Sequence, residues 1–375
     1  MKILYLTSFA LPSPQSHRIQ AVKTAEGMSY FADVHFVFNK LKGDIKRYYY
    51  LKKDFNLIAL GYKGRLKSIV LAWKLRKLLK KIKPDFVYCC EHYLFFGVNI
   101  LRKLGLLKNC PKMIFESHWA PENRPLIRLI DDFNIPKADF FVFTNRFIAD
   151  YYIKRYGLNR EKITVFPNGI DLGEFDFKID KKKARGKFNL PLAKKLVGYL
   201  GRFTEQNMDR GIKEIFEAAA ILKNKSYLFC FVGGGSKEEI EKYRLIARRK
   251  KVLESVKFIG EVEYNQVPFY LKAFDVLLMP FPKNRHFSFY MSPLKMFEYM
   301  ASRRPIIASD LPSIREILGN DSCVFCQPGS GKDLAEKIKY VLEQGAEEEA
   351  EQAFEKVKNH TWREKGRVIC SLWQA

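Results

Sequence analysis

Short apolar runs rich in β-branched and aromatic residues alternate with segments of helical period, and this alternation occurs twice along the chain. In the first half the runs lie at 2–7, 33–38, 85–89, 112–116, 139–143 and 162–166. In the second half they lie at 196–200, 227–232, 256–259, 276–280, 305–308 and 323–326. Strands that alternate with helices build βαβ units around a parallel sheet. The sequence therefore predicts two α/β domains.

The boundary between the halves is expected in the stretch 176–195, which is charged and poor in strand signal. A chain of 375 residues suits two such domains better than one. We expect an N-terminal domain over 1–185, a second domain over 186–346 and C-terminal helices over 347–375.

The net charge of +25 is concentrated in one segment. Between Lys40 and Lys83 there are 15 Lys and Arg residues and only two acids, Asp44 and Asp54. Such a field favours anionic partners, which include nucleotides, phospholipid head groups, lipid diphosphates and nucleic acid. A solvated face is the alternative interpretation.

A helix expected over 66–82 lies within this basic segment. Its apolar positions follow a period of 3.6 and include Leu66, Trp73 and Leu79, while lysines cover much of the rest. The lysines could simply face water, or they could bind anionic lipid at about 1 kcal/mol each. Both interpretations are compatible with a helix that packs on its sheet.

The cysteines and the hydropathy indicate the compartment. The number of cysteines, seven, is odd, and Cys323-Val-Phe-Cys326 has no second pair, so neither a zinc site nor a redox site is favoured. We interpret them as buried thiols in a reducing compartment. The apolar run 3–6 is too short for a signal peptide, and no run is long enough to span a membrane. We expect a cytoplasmic protein, peripheral on the cytoplasmic membrane face.

A predicted helix that begins near Ser292-Pro293-Leu294-Lys295 offers a phosphate site. Ser292 would be the N-cap and Pro293 the first helical residue. The free N–H groups and the positive dipole end of a helix N-terminus suit a diphosphate. Lys295 disfavours the first turn unless an anion binds there, and Glu298, one turn on, could accept ribose hydroxyls. An ordinary Lys–Glu pair on a capped helix is the alternative.

Two arginines and a glycine run follow predicted strands of the second half. Arg202 comes directly after one strand, and Arg210 precedes the next helix, so both could reach one anion. Taken singly, each is better interpreted as a surface arginine. The run Gly233-Gly234-Gly235 permits close approach of backbone to a ligand, but it is a weak signal by itself.

Several stretches in the second half carry a family resemblance together. They are 166–171, 201–202 with 210–211, 231–235, 258–260, 292–301 and 304–312. In this combination the chain resembles the retaining glycosyltransferases of family four (glycosyl transferases group 1), and the similarity is weaker before residue 165. The resemblance implies the GT-B fold of two Rossmann-like domains with a cleft between them. It also implies a final helix, beginning near Trp362, that crosses back to the N-terminal domain.

The resemblance implies roles for individual residues. Arg202 and Arg210 look like the basic pair on the donor diphosphate, and His118 looks like the histidine near the donor sugar; these three are the expected catalytic residues. Glu298 looks like the glutamate that binds the nucleotide ribose. The full set expected to bind a nucleotide-diphosphate sugar is Ser292, Pro293, Leu294, Lys295, Glu298, Gly233, Gly234, Ile259 and Val262, the last two through backbone near the base.

The chain departs from the family pattern at two places. Tyr290 stands eight positions before Glu298, where the family commonly has a second glutamate, so contacts to the donor sugar there are in doubt. The glycines often found after the first strand are replaced by a stretch that ends in Ser16, His17 and Arg18. We expect these three residues to contact the acceptor.

The expected reaction is transfer of a hexose with retention at the anomeric carbon, to a glycan or a lipid-linked acceptor of cell-envelope polysaccharide or glycolipid synthesis. There is no D-x-D pair and no convincing pair of catalytic carboxylates, so we expect no metal and no cofactor besides the donor. Three alternatives stay open: a transferase acting on nucleic acid, a GT-B sugar-nucleotide epimerase, and a non-catalytic binder of nucleotide sugars. The interleaved aliphatic residues of the basic helix favour lipid over nucleic acid.

Overall fold

The computed structural model describes residues 1–61, 67–107, 111–223 and 226–372, without the side chains of 67–72. It divides into two compact units. Unit 1 comprises Met1–Gly169, Tyr290–Ser292 and Thr361–Ala375, and unit 2 comprises Ile170–Phe289 and Pro293–His360.

Unit 1 is built on a seven-stranded parallel sheet in the order β5-β3-β1-β6-β7-β8-β9. Its strands, with the short pair β2 and β4, are β1 (Lys2–Leu6), β2 (Ala10–Leu11), β3 (Asp33–Phe38), β4 (Lys40–Leu41), β5 (Asn56–Ala59), β6 (Phe86–Cys89), β7 (Lys112–Ser117), β8 (Phe140–Phe143) and β9 (Ile163–Val165). Its first six helices are α1 (Ser16–Ser29), α2 (Ile45–Tyr49), α3 (Lys67–Ile82), α4 (His92–Lys103), α5 (Pro125–Asn134) and α6 (Arg146–Tyr156). The central strands are buried on both faces, which explains their continuous apolar sequences.

Unit 2 repeats the plan with a six-stranded parallel sheet in the order β14-β13-β10-β15-β16-β17. Its strands, with the hairpin β11–β12, are β10 (Lys195–Arg202), β11 (Thr204–Glu205), β12 (Met208–Asp209), β13 (Tyr227–Gly234), β14 (Val256–Gly260), β15 (Val276–Met279), β16 (Ile306–Ser309) and β17 (Val324–Cys326). Its helices are α7 (Leu172–Phe175), α8 (Lys181–Gly186), α9 (Ile212–Leu222), α10 (Lys237–Arg249), α11 (Val267–Ala273), α12 (Arg285–Phe289), α13 (Leu294–Ala301), α14 (Pro312–Leu318), α15 (Gly331–Gln344) and α16 (Glu347–Val357). Both sheets reverse strand order at their first strand, as in Rossmann-like folds.

The last helix, α17 (Trp362–Ser371), belongs to unit 1 and packs against α1. A Cβ on Gly27 of α1 would lie 1.9 Å from the Trp362 carbonyl oxygen, so only glycine permits this approach of the two backbones. Gly169 meets the start of α17 in the same way, at 2.8 Å from the Trp362 nitrogen. The expected assignment of this final helix to the first domain is therefore what the structure has.

The unit boundaries differ from the expected 185/186 and 346/347. Residues 170–185 belong to unit 2 because α8 packs on α11, and both Lys181 and Arg185 form ion pairs with Asp275 at 2.7 and 2.6 Å. The helix α16 stays in unit 2 because it packs on α13, so only α17 returns.

All twelve predicted runs form strands. The helix expected over 66–82 is α3, but Trp73 is not on its packing face, since this ring is 54% exposed with the Lys77 Nζ 3.6 Å from its centre. Within the described side chains of that helix, 73–82, the buried residues are Leu75, Leu79 and Ile82; Leu66 lies outside the described residues.

Candidate active site

Lys295, in the first turn of α13, is a buried cation without a partner. Its side chain is covered, and its Nζ has no hydrogen-bond partner among the described residues. The Nζ lies 3.7 Å from the ring centre of Tyr199 and 5.6 Å from that of Phe281. Burial, and then the charge of Arg210, hold the pKa of Lys295 well below its ordinary value. Aromatic faces offset part of the desolvation cost but supply no acceptor, so the site favours an anion.

Lys295 lies next to the end of β10, the place where Rossmann-like sheets bind ligands. Gly201 has φ +114°, and a Cβ there would lie 3.1 Å from Lys295 Cε. The strand β10 stands between β13 and β15, where the strand order reverses. Ligands of open α/β sheets bind outside the carboxyl ends of strands at this reversal. Lys295 therefore lies at the expected ligand position of unit 2.

Arg210 and Lys295 approach the same aromatic ring, whereas the Arg202 side chain is exposed. The Arg210 guanidinium carbon lies 5.1 Å from the ring centre of Phe281, the same ring that Lys295 approaches. Arg202 follows Gly201 on the rim with an exposed side chain, and it has no ion pair within the described part of the chain. Two of the three predicted cations thus approach one ring, and the third, Arg202, is exposed at the end of β10.

Glu205 is a site residue that the sequence analysis missed. Its Oε2 lies 3.3 Å from Arg210 Nη2, and its Oε1 lies 3.5 Å from His286 Nε2. Burial would raise the pKa of Glu205, but His286 and Arg210 lower it to about 2, so this carboxylate is ionised at neutral pH. It belongs to the two-residue strand β11, and no spacing in the sequence marks it.

Glu298 lies one turn beyond Lys295 without forming an ion pair with it in the described chain. Burial raises the pKa of Glu298 to about 7, and the charge of Lys295 offsets only part of this effect. Burial, and then the charge of the same carboxylate, raise the pKa of the neighbouring Tyr264 well above its ordinary value. An ordinary Lys–Glu pair, the alternative interpretation of this spacing, is therefore wrong.

The predicted cap of this helix is also wrong. The helix α13 begins at Leu294, and Pro293 is its N-cap residue in an extended conformation, without a side-chain hydrogen bond. Ser292 instead belongs to unit 1, where its Oγ accepts a hydrogen bond from the Asn168 backbone N–H at 3.1 Å and its carbonyl accepts one from Asn168 Nδ2. The Ser292 hydroxyl therefore accepts a hydrogen bond from Asn168 instead of capping the helix.

The glycine run lies beside the end of β10. Gly233 and Gly234 have φ of +98° and +112°, and a Cβ on Gly233 would lie 2.8 Å from the Gly201 carbonyl oxygen. These glycines are thus required by conformation and by the neighbouring strand end. Ile259 and Val262 are partly exposed near the end of β14.

In unit 1 the predicted histidine lies beside a buried carboxylate. His118 follows β7, and its Nε2 is 3.2 Å from Glu116 Oε2 and 3.4 Å from Gln20 Nε2. The other oxygen of Glu116 accepts a hydrogen bond from Lys365 Nζ at 2.7 Å, and both of these side chains are completely buried. Residues 116 and 365 are too distant in sequence for this contact to be predicted.

The residues expected to contact the acceptor form the first turn of α1, which begins at Ser16. Arg18 Nη1 donates to the Ala10 carbonyl at 3.1 Å, and His17 packs edge-on against Phe9 at 5.2 Å. Burial, Arg18 and His118 lower the pKa of His17 to about 4, so His17 is neutral at pH 7.

Two Rossmann-like units in one chain are the domain plan of the GT-B fold. The family profile described as "Glycosyl transferases group 1" matches residues 180–360, and the profile "Glycosyltransferase Family 4" matches residues 31–174. Together the two matches cover most of the chain, which belongs to the glycosyltransferases of family four (glycosyl transferases group 1).

The chain is similar to several named proteins. It is 24% identical over 269 residues to Bacillus subtilis TuaH, named as a candidate teichuronic acid biosynthesis glycosyltransferase, covering 67% of this chain and 63% of TuaH. It is 26% identical to the Campylobacter jejuni N,N'-diacetylbacillosaminyl-diphospho-undecaprenol alpha-1,3-N-acetylgalactosaminyltransferase, covering 72% of this chain and 70% of that enzyme. A match to TuaC of Bacillus subtilis covers only 40% of that protein, so the chain spans about two thirds or less of these two Bacillus relatives.

The fold is shared with solved structures. Anabaena HepE in complex with UDP and glucose matches with a TM-score of 0.79 at 16% identity, and the match covers 100% of both chains. A glycosyltransferase from Rickettsia africae also matches with a TM-score of 0.79 at 16% identity, covering 100% of this chain and 97% of that one. Within the described residues, no helix combines the length and apolar character needed to cross a membrane.

Proposed function

We propose that this chain transfers a hexose from a nucleotide-diphosphate sugar to a glycan or a lipid-linked acceptor, with retention at the anomeric carbon. The observation that carries the proposal is the buried, unpartnered ammonium of Lys295 beside Arg210 at the end of β10. These two cations, with Arg202, would stabilise the diphosphate as the sugar bond breaks, and no metal would be needed.

Further roles follow the same proposal. Glu298 would accept ribose hydroxyls, the backbone near Ile259 and Val262 would contact the base, and Gly233 and Gly234 would admit the phosphates. His118 would position the donor sugar in front-face attack, in which the leaving phosphate helps to deprotonate the acceptor. Ser16, His17 and Arg18 would contact that acceptor.

The names of the relatives support a choice of substrates to test. TuaH is named for teichuronic acid biosynthesis, and the Campylobacter enzyme for a sugar carried on diphospho-undecaprenol. HepE has been crystallised with UDP-glucose. We therefore propose a role in cell-envelope polysaccharide or glycolipid synthesis, with UDP-hexoses as the first donors to examine.

Arg202→Ala is expected to weaken binding of the correct donor at least about tenfold, because one charge-assisted hydrogen bond contributes roughly 1.5–3 kcal/mol. Calorimetric titration with the donor found by a thermal-shift screen measures this effect; saturation at 100 times Kd should stabilise the protein by about 2.7 kcal/mol. Arg249→Ala, an exposed arginine of α10, is the control and should bind normally. Unchanged affinity in Arg202→Ala would remove Arg202 from the diphosphate site.

The alternatives give different products. An epimerase would change the sugar of the donor in the absence of an acceptor, and a non-catalytic binder would give no product with any acceptor. Proton NMR of the glycoside formed reads the anomeric configuration directly. An inverted product would contradict retention.

We further propose that unit 1 lies against an anionic membrane through α4 and α5. The α4–α5 surface consists of residues that share strong exposure of an apolar side chain, namely Tyr93, Leu104, Leu126 and Leu129, each more than half exposed. Leu126 and Leu129 are three positions apart on α5, so they share a helix face. Phe96 of α4 packs edge-on against Phe133 of α5 at 5.0 Å, which holds the two helices side by side.

Cations lie at the C-terminal ends of α4 and α5. Lys137 Nζ lies 3.6 Å and Lys103 Nζ 5.9 Å from the ring centre of Phe133, and Arg102 donates to the Lys137 carbonyl. Burial, then Lys103 and Arg102, lower the pKa of Lys137, so the positive charges are close together. Exposed leucines beside lysines fit the interface of an anionic bilayer, whereas nucleic acid would gain little from the leucines.

Leu126→Ser with Leu129→Ser is expected to weaken binding to anionic vesicles at least about tenfold, because each buried leucine contributes roughly 1.5 kcal/mol or more. Co-sedimentation with phosphatidylcholine vesicles containing about one third phosphatidylglycerol measures the effect. Leu192→Ser, which removes an equally exposed leucine from unit 2, should bind like the wild type. Equal binding by the wild type and both variants would contradict the membrane surface. So would displacement of the protein from the vesicles by duplex DNA at an equal concentration of phosphate groups.

A further inference from the structure

Three charged side chains form a buried row in unit 1. Lys365 of α17 donates from Nζ to Glu116 Oε1 at 2.7 Å, and Glu116 Oε2 lies 3.2 Å from His118 Nε2. Lys365 and Glu116 are completely buried, whereas the His118 side chain is 22% exposed. The row thus runs from a buried contact between α17 and β7 to a histidine that solvent reaches.

The central carboxylate is ionised. Burial would raise the pKa of Glu116, but Lys365 and then His118 hold it well below its ordinary value. Tyr88 of the neighbouring strand is neutral, because burial and the Glu116 carboxylate raise its pKa well above the usual range. Lys365 is therefore the main neutralising charge for Glu116 in this pocket.

The remaining groups that face His118 come from α1. Gln20 Nε2 lies 3.4 Å from His118 Nε2. His17 is also close, since Arg18 and then His118 contribute to the lowered pKa of His17. Arg18 is engaged with the Ala10 carbonyl. No carboxylate other than Glu116 is paired with His118 among the described residues.

We infer that Lys365 is a positioning residue of the transfer reaction, which sets the orientation and the proton affinity of His118 through Glu116. A buried carboxylate without a cation draws a proton to the nearest base, whereas a neutralised one mainly orients it. The inference rests on the proposed function of His118 beside the donor sugar. It assigns the final helix a contribution to the chemistry beyond the closing of the fold.

The main test is Lys365→Met, read by NMR titration of the His118 ring. Loss of the ammonium leaves Glu116 to attract a proton at His118, so the midpoint of the ring titration should rise by about one pH unit or more. The acidic limb of the profile of kcat/KM against pH should move by the same amount. Arg367→Gln, which breaks an exposed pair with Glu364 on the same helix, is the control and should move neither.

A second variant keeps the inference testable if Lys365→Met fails to fold. Lys365→Met with Glu116→Gln removes both buried charges, and the His118 midpoint should then fall below that of the wild type. A midpoint unchanged in either folded variant overturns the inference and leaves an ion pair that only holds α17.

Failure of the proposed function gives a distinct result. The ring titration needs no substrate, so it tests the coupling even if the wild type transfers no sugar. Donor affinity, which depends on Lys295 and Arg210 of unit 2, should stay within about twofold of the wild type in the folded Lys365 variants.

Discussion

Lys295→Met is expected to lower kcat/KM about 100-fold or more while making the unliganded protein more stable. The ammonium is buried without an acceptor, so the free protein bears its desolvation cost. Methionine has a similar length and no charge, and it keeps contact with the rings of Tyr199 and Phe281. We expect the free energy of unfolding to rise by about 1–3 kcal/mol. A donor diphosphate would lose its most desolvated partner, where electrostatic stabilisation is strongest.

Thermal unfolding with and without donor, together with steady-state transfer rates, measures both effects. Lys250→Met is a matched control, because this lysine pairs with Glu217 at 2.9 Å on a partly exposed surface of the same unit. It should change stability by less than about 1 kcal/mol and leave turnover unchanged. If Lys295→Met destabilised the free protein and kept donor affinity, the ammonium would be a structural group and not a diphosphate ligand.

The strands were predictable because they are buried on both faces. The run 276–280 is continuous in apolar residues, and 112–116 is apolar at its three central positions; parallel strands covered by helices have this pattern. The edge strand β5 (Asn56–Ala59) was missed because its apolar stretch is short, and the strand is largely exposed. The hairpin β11–β12 was missed because each strand has two residues, and its turn depends on Gln206 and Asn207 at positive φ.

Site residues were predictable where they follow a strand or begin a helix. Lys295 and Arg210 were found in this way, and they do approach the same ring. The burial of Lys295 could not be predicted, because it depends on Tyr199 of β10 and on Phe281, which follows β15. Glu205 and Lys365 have no local signature, since their partners are set by tertiary packing. Ser292 was predicted to cap α13, but its hydroxyl accepts a hydrogen bond from the Asn168 backbone N–H. This contact between residues distant in sequence could not be predicted.

Gly27→Val is expected to destabilise unit 1 by about 3 kcal/mol or more, the upper range for overpacking. The backbones of α1 and α17 meet here: a Cβ on Gly27 would lie 1.9 Å from the Trp362 carbonyl oxygen, and one on Gly366 would lie 2.1 Å from the Gly27 carbonyl carbon. Backbone atoms cannot turn aside as a flexible side chain can, so the helices would have to separate. Separation would also pull Lys365 from Glu116 and leave a buried carboxylate unpaired.

Urea unfolding followed by circular dichroism measures this loss, and Gly97→Ala provides the contrast. Gly97 lies within α4 and a Cβ there would meet no atom within 4 Å, so alanine should stabilise the protein by about 0.5–1 kcal/mol through helix propensity. Gly97 thus tests only the conformational cost of glycine in a helix, whereas Gly27 tests the steric requirement for glycine at the contact between α1 and α17. Equal effects at both positions would mean that α17 does not pack on α1 as described, and the buried row through Lys365 would then lose its support.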